Sequence, residues 1–315
     1  MSPTHSREAA AAALSAETRT PVRVPVAGGT MTGTLWRAGA PGVPVVAIHG
    51  ITANHHSFCA LAARLEVPLL AMDLRGRGGS RDLPGPFEMV QHAEDVATAM
   101  AAAGIGRAVV VGHSMGAFVG VRLAAAHPEL VERLVLVDGG LPLKPAPNAE
   151  ELSAQDVLGP AIERLSRTFE SAVAYREFWR EHPALGPYWN RGIEEYIDAD
   201  LAVVDGELRP SAIPEAVTVN LAELDGRGGY TAQLEALTLP LTMLRSPRGL
   251  FDELPALYDP EWFDSWCTRL PAMRALQVAD TNHYTILMGT GVGAVADVVR
   301  RALAPSTPPT EEISA

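Results

Sequence analysis

Short, nearly continuous apolar runs recur along this chain, separated by longer stretches with helical spacing. Residues 43–48, 68–72, 108–111, 134–137, 239–244 and 275–278 each read as a strand buried on both faces, because a strand with one wet face would alternate. Residues 88–103 and 117–126 fall between them as helices. Ahead of these, residues 22–26 and 31–37 alternate around Ala27-Gly28-Gly29-Thr30 and predict a hairpin. Strand–helix–strand alternation requires right-handed crossovers, hence an α/β fold with a mostly parallel twisted sheet and helices on both faces. Ligands of such sheets bind beyond the carboxyl ends of the strands.

One segment breaks the rhythm. Residues 142–236 contain no strong β run, but helical patterns at 149–158, 161–169, 171–180 and 193–201. So long an insertion is too large for a loop and predicts a helical cap. The domain layout is then a core of residues 21–141 and 237–303, a cap or lid of 142–236, a flexible arm of 1–20 and a flexible tail of 304–315. Phe169, Tyr175, Phe178, Trp179, Tyr188, Trp189 and Tyr196 enrich the cap in aromatics. They can pack the cap against itself, or line the inner face of a lid over an apolar ligand. Trp179, Tyr188 and Trp189, with Gly50 opposite, are the expected substrate contacts.

Composition narrows the field. With 25 Lys+Arg against 37 Asp+Glu the net charge is −12, which argues against nucleic acid or an anionic membrane as a partner. Lys144 is the only lysine, and Cys59 and Cys267 lie too far apart for a C-x-x-C motif. His55-His56 makes a poor metal pair, since adjacent side chains diverge, and no H-E-x-x-H spacing occurs; no metal is expected. No run of about eighteen apolar residues predicts a membrane span, and no basic cluster with an apolar core marks a signal peptide. A cytoplasmic protein is expected, and a homo-oligomer is compatible with the sequence.

The strongest chemical signal is Gly112-His113-Ser114-Met115-Gly116, placed after a buried run and before a small-residue helix. G-x-S-x-G in that setting is a nucleophile elbow, a turn so sharp that both glycines must lack side chains. A serine needs a base, and that base needs an orienting acid. Of the histidines after Ser114, His127 and His182 each precede a proline, whereas His283 follows the last apolar run and is the expected base. Asp138, ending the run at 134–137, is the first choice of acid; Asp252 is the alternative, and Asp280 is too near His283 along the backbone. The N–H groups of Ile51 and Met115 are the expected oxyanion donors. His49 is read as structural, and Asn54, His55 and His56 as residues at the entrance. Neither the glycine-rich 73–80 stretch nor Gly289-Thr290-Gly291-Val292-Gly293 fits a phosphate or dinucleotide cradle, so no cofactor is expected.

His49-Gly50, Asp73 to Ser80, Gly112 to Gly116, Asp138-Gly139-Gly140 and Asn282-His283 together resemble the α/β-hydrolase superfamily over residues 22–140 and 236–303. The resemblance implies a nucleophile at Ser114, a base at His283 and a backbone oxyanion hole at Ile51 and Met115. Most members carry the acid after a later strand in a G-x-x-D pattern, where this chain has Arg245-Ser246-Pro247-Arg248-Gly249. A minority, including lactone hydrolases that open zearalenone, carry it one strand earlier, as Asp138 would. The expected activity is cofactor-independent hydrolysis of a small apolar carboxylic ester or lactone, with a macrocyclic lactone as the specific guess. C–C bond hydrolysis, iminopeptidase, thioesterase or perhydrolase chemistry on the same residues, or a non-catalytic ligand receptor, are the alternatives.

Overall fold

The computed structural model describes residues 19–144 and 160–304. The strands are β1 (Arg19–Val26), β2 (Gly29–Trp36), β3 (Val45–Ile48), β4 (Leu69–Met72), β5 (Ala108–His113), β6 (Val131–Val137), β7 (Leu201–Val204), β8 (Glu207–Pro210), β9 (Leu241–Arg245) and β10 (Arg274–Gln277). The helices are α1 (Cys59–Ala62), α2 (Met89–Ala102), α3 (Met115–Ala126), α4 (Pro160–Leu165), α5 (Ala172–Arg180), α6 (Arg191–Asp198), α7 (Pro214–Ala222), α8 (Tyr230–Ala236), α9 (Pro260–Arg269), α10 (Thr285–Met288) and α11 (Val292–Leu303). Eight strands form one sheet in the order β1-β2-β4-β3-β5-β6-β9-β10. Only the β1–β2 and β2–β4 pairs are antiparallel. Each apolar run of the sequence forms a strand, and the expected hairpin is β1–β2.

Five of the six runs lack alternation because both faces of the sheet are covered there; the run at 275–278, expected to be buried on both faces, instead forms the edge strand β10, with Arg274 and Gln277 exposed and Ala275 and Leu276 half-buried. In β3, Val46 and Ile48 join one core with α2 and α3, while Val45 and Ala47 join another with α1, α10 and α11. β5 divides likewise, with Val110 in the first core and Val109 and Val111 in the second. α2 buries Met89, His92, Ala93, Val96, Ala99 and Met100, the stripe of an amphipathic helix lying on a sheet. α3 is buried on nearly every side.

The stretch between β6 and β9 is not purely helical. Besides α4 to α8 it holds the antiparallel ribbon β7–β8, closed by Asp205-Gly206 with both residues at positive φ (52° and 81°). Asp-Gly after the apolar run Leu201–Val204 is a two-residue hairpin signal. The signal is weak in the sequence because each strand has only four residues and the second, Glu-Leu-Arg-Pro, is not an apolar run. The expected helix at 161–169 ends at Leu165, and Phe169 instead bridges to Leu208. The helix expected at 149–158, residues 1–18 of the arm expected at 1–20 and residues 305–315 of the tail expected at 304–315 lie outside the described residues, while Arg19 and Thr20 open β1 and do not belong to an arm. Among the described residues no helix is long and apolar enough to cross a membrane.

Candidate active site

The chain leaves β3 for β4 on one side and returns to β5 on the other, so the β3/β5 boundary is the sheet's switch point, where a crevice opens at the carboxyl ends. Ser114 follows β5 directly, and its φ of 54° and ψ of −126° place it in the strained conformation of a tight elbow. A Cβ on Gly112 would fall 2.4 Å from the Ala117 Cα, and one on Gly116 only 2.0 Å from the Ile48 carbonyl oxygen. Both glycines are therefore sterically required. So is Gly139, whose Cβ would meet the Ser114 carbonyl oxygen at 2.1 Å. This packing fixes the loop after β6 against the elbow.

That loop begins with Asp138, fully buried and at φ 44°. His283 Nδ1 lies 2.7 Å from Asp138 Oδ2, and the carboxylate also accepts from the Ser246 N–H (3.0 Å), while the Ser246 hydroxyl donates to the Arg248 carbonyl (2.6 Å). Since a carboxylate accepts only, Nδ1 carries the hydrogen and Nε2 is left with a lone pair. Asp252 is placed elsewhere. Its Oδ1 accepts from Arg248 Nε (2.7 Å) and from Asn282 Nδ2 (2.9 Å), so it supports the loop beside His283 without touching the ring. Asn282 also accepts from the N–H groups of Tyr284 and Thr285 (3.0 and 2.9 Å) and donates to the Ala184 carbonyl (3.0 Å), locking the base in place. Ser114 and His283 line one cavity, and among the described residues the Ser114 hydroxyl has no hydrogen-bond partner. Catalytic hydrogen bonds commonly tighten only when substrate arrives.

The N–H of Met115 opens α3 and has no acceptor within its helix, and no backbone hydrogen bond occupies the N–H of Ile51. Both residues face the cavity. Two buried side chains hold the Ile51 loop. His49 accepts from the Leu74 N–H at Nε2 (2.9 Å) and donates from Nδ1 to the Gly50 carbonyl (2.8 Å). Arg77, fully buried, donates to the Ile51 carbonyl (2.9 Å), the Ala216 carbonyl (3.1 Å) and Asn220 Oδ1 (2.7 Å). These bonds couple the loop to α7. Burial lowers the Arg77 guanidinium to about 9. In the sequence Arg77 is one of several polar residues in a glycine-rich stretch, and nothing there marks its role.

Burial likewise pushes the His49 imidazole down to about 4 and that of His113 to about 3, from an ordinary 6.5. His113 donates from Nε2 to the His283 carbonyl (2.9 Å). Both rings are neutral when folded and free to take a proton when unfolded. Their stabilising effect is complete above the unfolded value of 6.5 and is lost as pH falls below it. Lowering the pH from about 7.5 to about 5 should cost roughly 2 kcal/mol for each of the two, read as a falling midpoint of thermal unfolding. A midpoint constant over that range contradicts the burial argument.

The cavity measures about 80 Å³ and is walled mainly by apolar side chains, among them Phe118, Leu143, Leu221, Leu224, Leu250 and Met288. Of the four residues proposed as substrate contacts, Gly50 lines it, whereas Trp179, Tyr188 and Trp189 do not. Trp179 is buried behind Tyr284, with the Arg164 guanidinium 4.9 Å from its ring, because a ring of that size packs the insert against itself. Tyr188 bonds Arg248 through its hydroxyl (3.1 Å), and Trp189 is held by Glu194 (3.2 Å) under the Arg180 guanidinium. Tyr196 and Tyr284 line the cavity instead. The entrance reading of Asn54 and His55 also fails. Asn54 is buried against the Tyr196 carbonyl (3.0 Å), and His55 is paired with Asp73 (2.8 Å).

A serine on a strained elbow, a histidine oriented by a buried carboxylate and two N–H groups that are unpaired among the described residues thus meet at one crevice of a doubly covered parallel sheet. The chain has the α/β-hydrolase fold: the family model described as alpha/beta hydrolase fold matches residues 43–189. It is similar to the candidate carbamate hydrolase RutD of Klebsiella pneumoniae (strain 342), 39% identical over 109 residues, 33% of this chain and 41% of that one. It is also similar to 2-(acetamidomethylene)succinate hydrolase of Mesorhizobium japonicum, 32% identical over 174 residues, 54% of this chain and 58% of that one. The chain thus spans about half the length of the curated relatives it matches. The crystal structure of E-2-(acetamidomethylene)succinate hydrolase superposes with a TM-score of 0.71 at 23% identity, covering 90% of this chain and 98% of that one. At that identity the likeness is one of fold.

Proposed function

We propose that the protein is a cofactor-independent serine hydrolase of small apolar carboxylic esters or lactones. The observation that carries this reading is His283 held by Asp138 at 2.7 Å while its ring shares an apolar cavity with Ser114. Ser114 Oγ attacks the acyl carbonyl as Nε2 of His283 takes its proton, and the oxyanion accepts from the N–H groups of Ile51 and Met115. His283 then protonates the leaving alcohol, and water activated by the same ring releases the acid from Ser114.

The walls support an uncharged acyl group. Among the described residues no arginine or lysine lines the cavity, so an anionic substrate such as a succinate derivative would find no counter-charge. At about 80 Å³ the space favours a short acyl chain over a macrocycle such as zearalenone. Pockets for drug-sized ligands run to about 300–1,000 Å³. The insert acts as the cap, contributing Leu143, Tyr196, Leu221 and Leu224 to the enclosure.

The test is a panel of p-nitrophenyl esters of increasing chain length, lactones, thioesters, β-diketones and aminoacyl amides, run beside a fluorophosphonate probe. The expected result is covalent capture at Ser114 and a kcat/KM that is highest for short acyl esters and falls as the chain lengthens. Preference for an amide, thioester or C–C substrate overturns the ester assignment. Absence of both turnover and capture overturns the enzyme reading in favour of a receptor.

A further inference from the structure

At the seam between the sheet core and the insert, three different donor atoms converge away from the catalytic residues. His56 Nδ1 lies 3.8 Å from Cys59 Sγ and 3.3 Å from Glu195 Oε1, and all three ligand atoms fall within 4.8 Å of one another. His56 and Cys59 stand three residues apart where a single 3-10 turn (His55–Phe58) runs into α1, so their side chains share one face. Glu195 reaches them from α6. Sequence reading could not find this set, because its third member comes from the insert and the neighbouring His55 faces Asp73 instead.

A tetrahedral zinc ion, with bonds of about 2.0–2.1 Å to N and O and about 2.3 Å to S, holds N and S ligands about 3.5 Å apart and N and O ligands about 3.3 Å apart. The observed separations of 3.8 and 3.3 Å already match within a few tenths of an ångström. We propose that His56, Cys59 and Glu195 form a binding site for a divalent transition metal of the zinc type. One imidazole, one thiolate and one carboxylate suit zinc or cobalt(II) and not the all-oxygen shells of magnesium or calcium.

The three donors differ in how far they are prepared. Hydrogen bonding from His56, then from Arg19, holds the Glu195 carboxyl down near 2, so it is ionised and ready. Burial pushes the Cys59 thiol up to about 12, so the metal must expel that proton to solvent on forming the S–metal bond. His56 gives up its Nδ1 hydrogen to solvent as Nε2 takes one up, a tautomer exchange that frees the Nδ1 lone pair for the metal and leaves the Cys59 proton as the only one released. The Arg19 guanidinium also lies on Oε1, and the metal would displace it to Oε2, which it already reaches at 3.2 Å. A bound ion would clamp α1 to α6 directly behind the cavity wall, since Ser57 and Tyr196, next in sequence to two of the ligands, both line the cavity.

The experiment is a cobalt(II) titration of the full chain, followed by optical absorption. Wild-type protein and Cys267→Ser should bind one equivalent and develop both tetrahedral d–d bands and a thiolate-to-cobalt charge-transfer band, with release of one proton. The charge-transfer band should vanish in Cys59→Ser. His56→Ala and Glu195→Gln should each weaken binding by roughly tenfold or more, the loss that even an outer-sphere partner brings. Should Cys59→Ser fail to fold, the other two variants, at half-buried positions, decide the matter. A charge-transfer band that survives Cys59→Ser, an affinity unmoved by both His56→Ala and Glu195→Gln, or a wild-type titration without the band overturns the site.

Discussion

Ser114→Ala should lower kcat by about 10⁴- to 10⁶-fold on any ester the protein turns over, while leaving its thermal midpoint within a degree or two of the parent. The large loss follows from the chemistry: without Oγ there is no acyl-enzyme, and the oxyanion donors alone must act on water delivered by His283. The small structural effect follows from the site. The Ser114 hydroxyl has no hydrogen-bond partner among the described residues, so removing it strands no buried group. The positive φ of 54° strains alanine and serine alike, so that cost cancels. Steady-state kinetics, circular dichroism and mass spectrometry after fluorophosphonate treatment check all three points. A Ser114→Ala protein that keeps a tenth of the parent's rate, or still captures the probe, is incompatible with the elbow serine as nucleophile.

The sheet was legible because its physics is local. A strand covered on both faces reads as a nearly continuous apolar run, and five such runs, each ending near a turn, leave little choice of architecture. The elbow was legible because Gly112 and Gly116 answer a steric demand that no other residue type meets. His283 as candidate base follows from chain order, since it alone of the histidines stands after the last strand. The acid was harder. Asp138 and Asp252 both follow strand ends, and what separates them is the direction each side chain takes, set by Ser246 for one and by Arg248 with Asn282 for the other. The cavity lining was not legible at all. Which of several aromatic rings faces the cleft depends on how helices of the insert pack. Trp179 and Tyr284, in contact with each other, fall on opposite sides of that boundary. Arg77 escaped for the same reason, because its work is to hold backbone carbonyls that only the folded chain brings near, whereas His49 reads as structural in the sequence and is so in the fold.

The two aspartates give the sharpest comparison. Asp138→Asn should reduce kcat by about 10⁴-fold, whereas Asp252→Asn should reduce it by less than about tenfold. In the native site the Asp138 carboxylate serves two donors: the Ser246 N–H at Oδ1 and His283 Nδ1 at Oδ2. An amide of the same shape has one accepting oxygen. If that oxygen stays on the rigid Ser246 N–H, the amide NH₂ turns toward His283 and donates to Nδ1. The ring must then carry its hydrogen on Nε2, pointing at Ser114, where it can no longer accept the serine proton. Asparagine at 252 can still offer a carbonyl oxygen to Asn282, and it loses only a partly exposed ion pair with Arg248, worth about 0.2–1 kcal/mol. The His283 loop keeps its shape, so KM and the pH profile of kcat/KM should hardly move. Purified variants assayed on one activated ester give the ratio directly. A loss in Asp252→Asn equal to or greater than that in Asp138→Asn would mean that the imidazole takes its orientation from the other side of the loop during turnover.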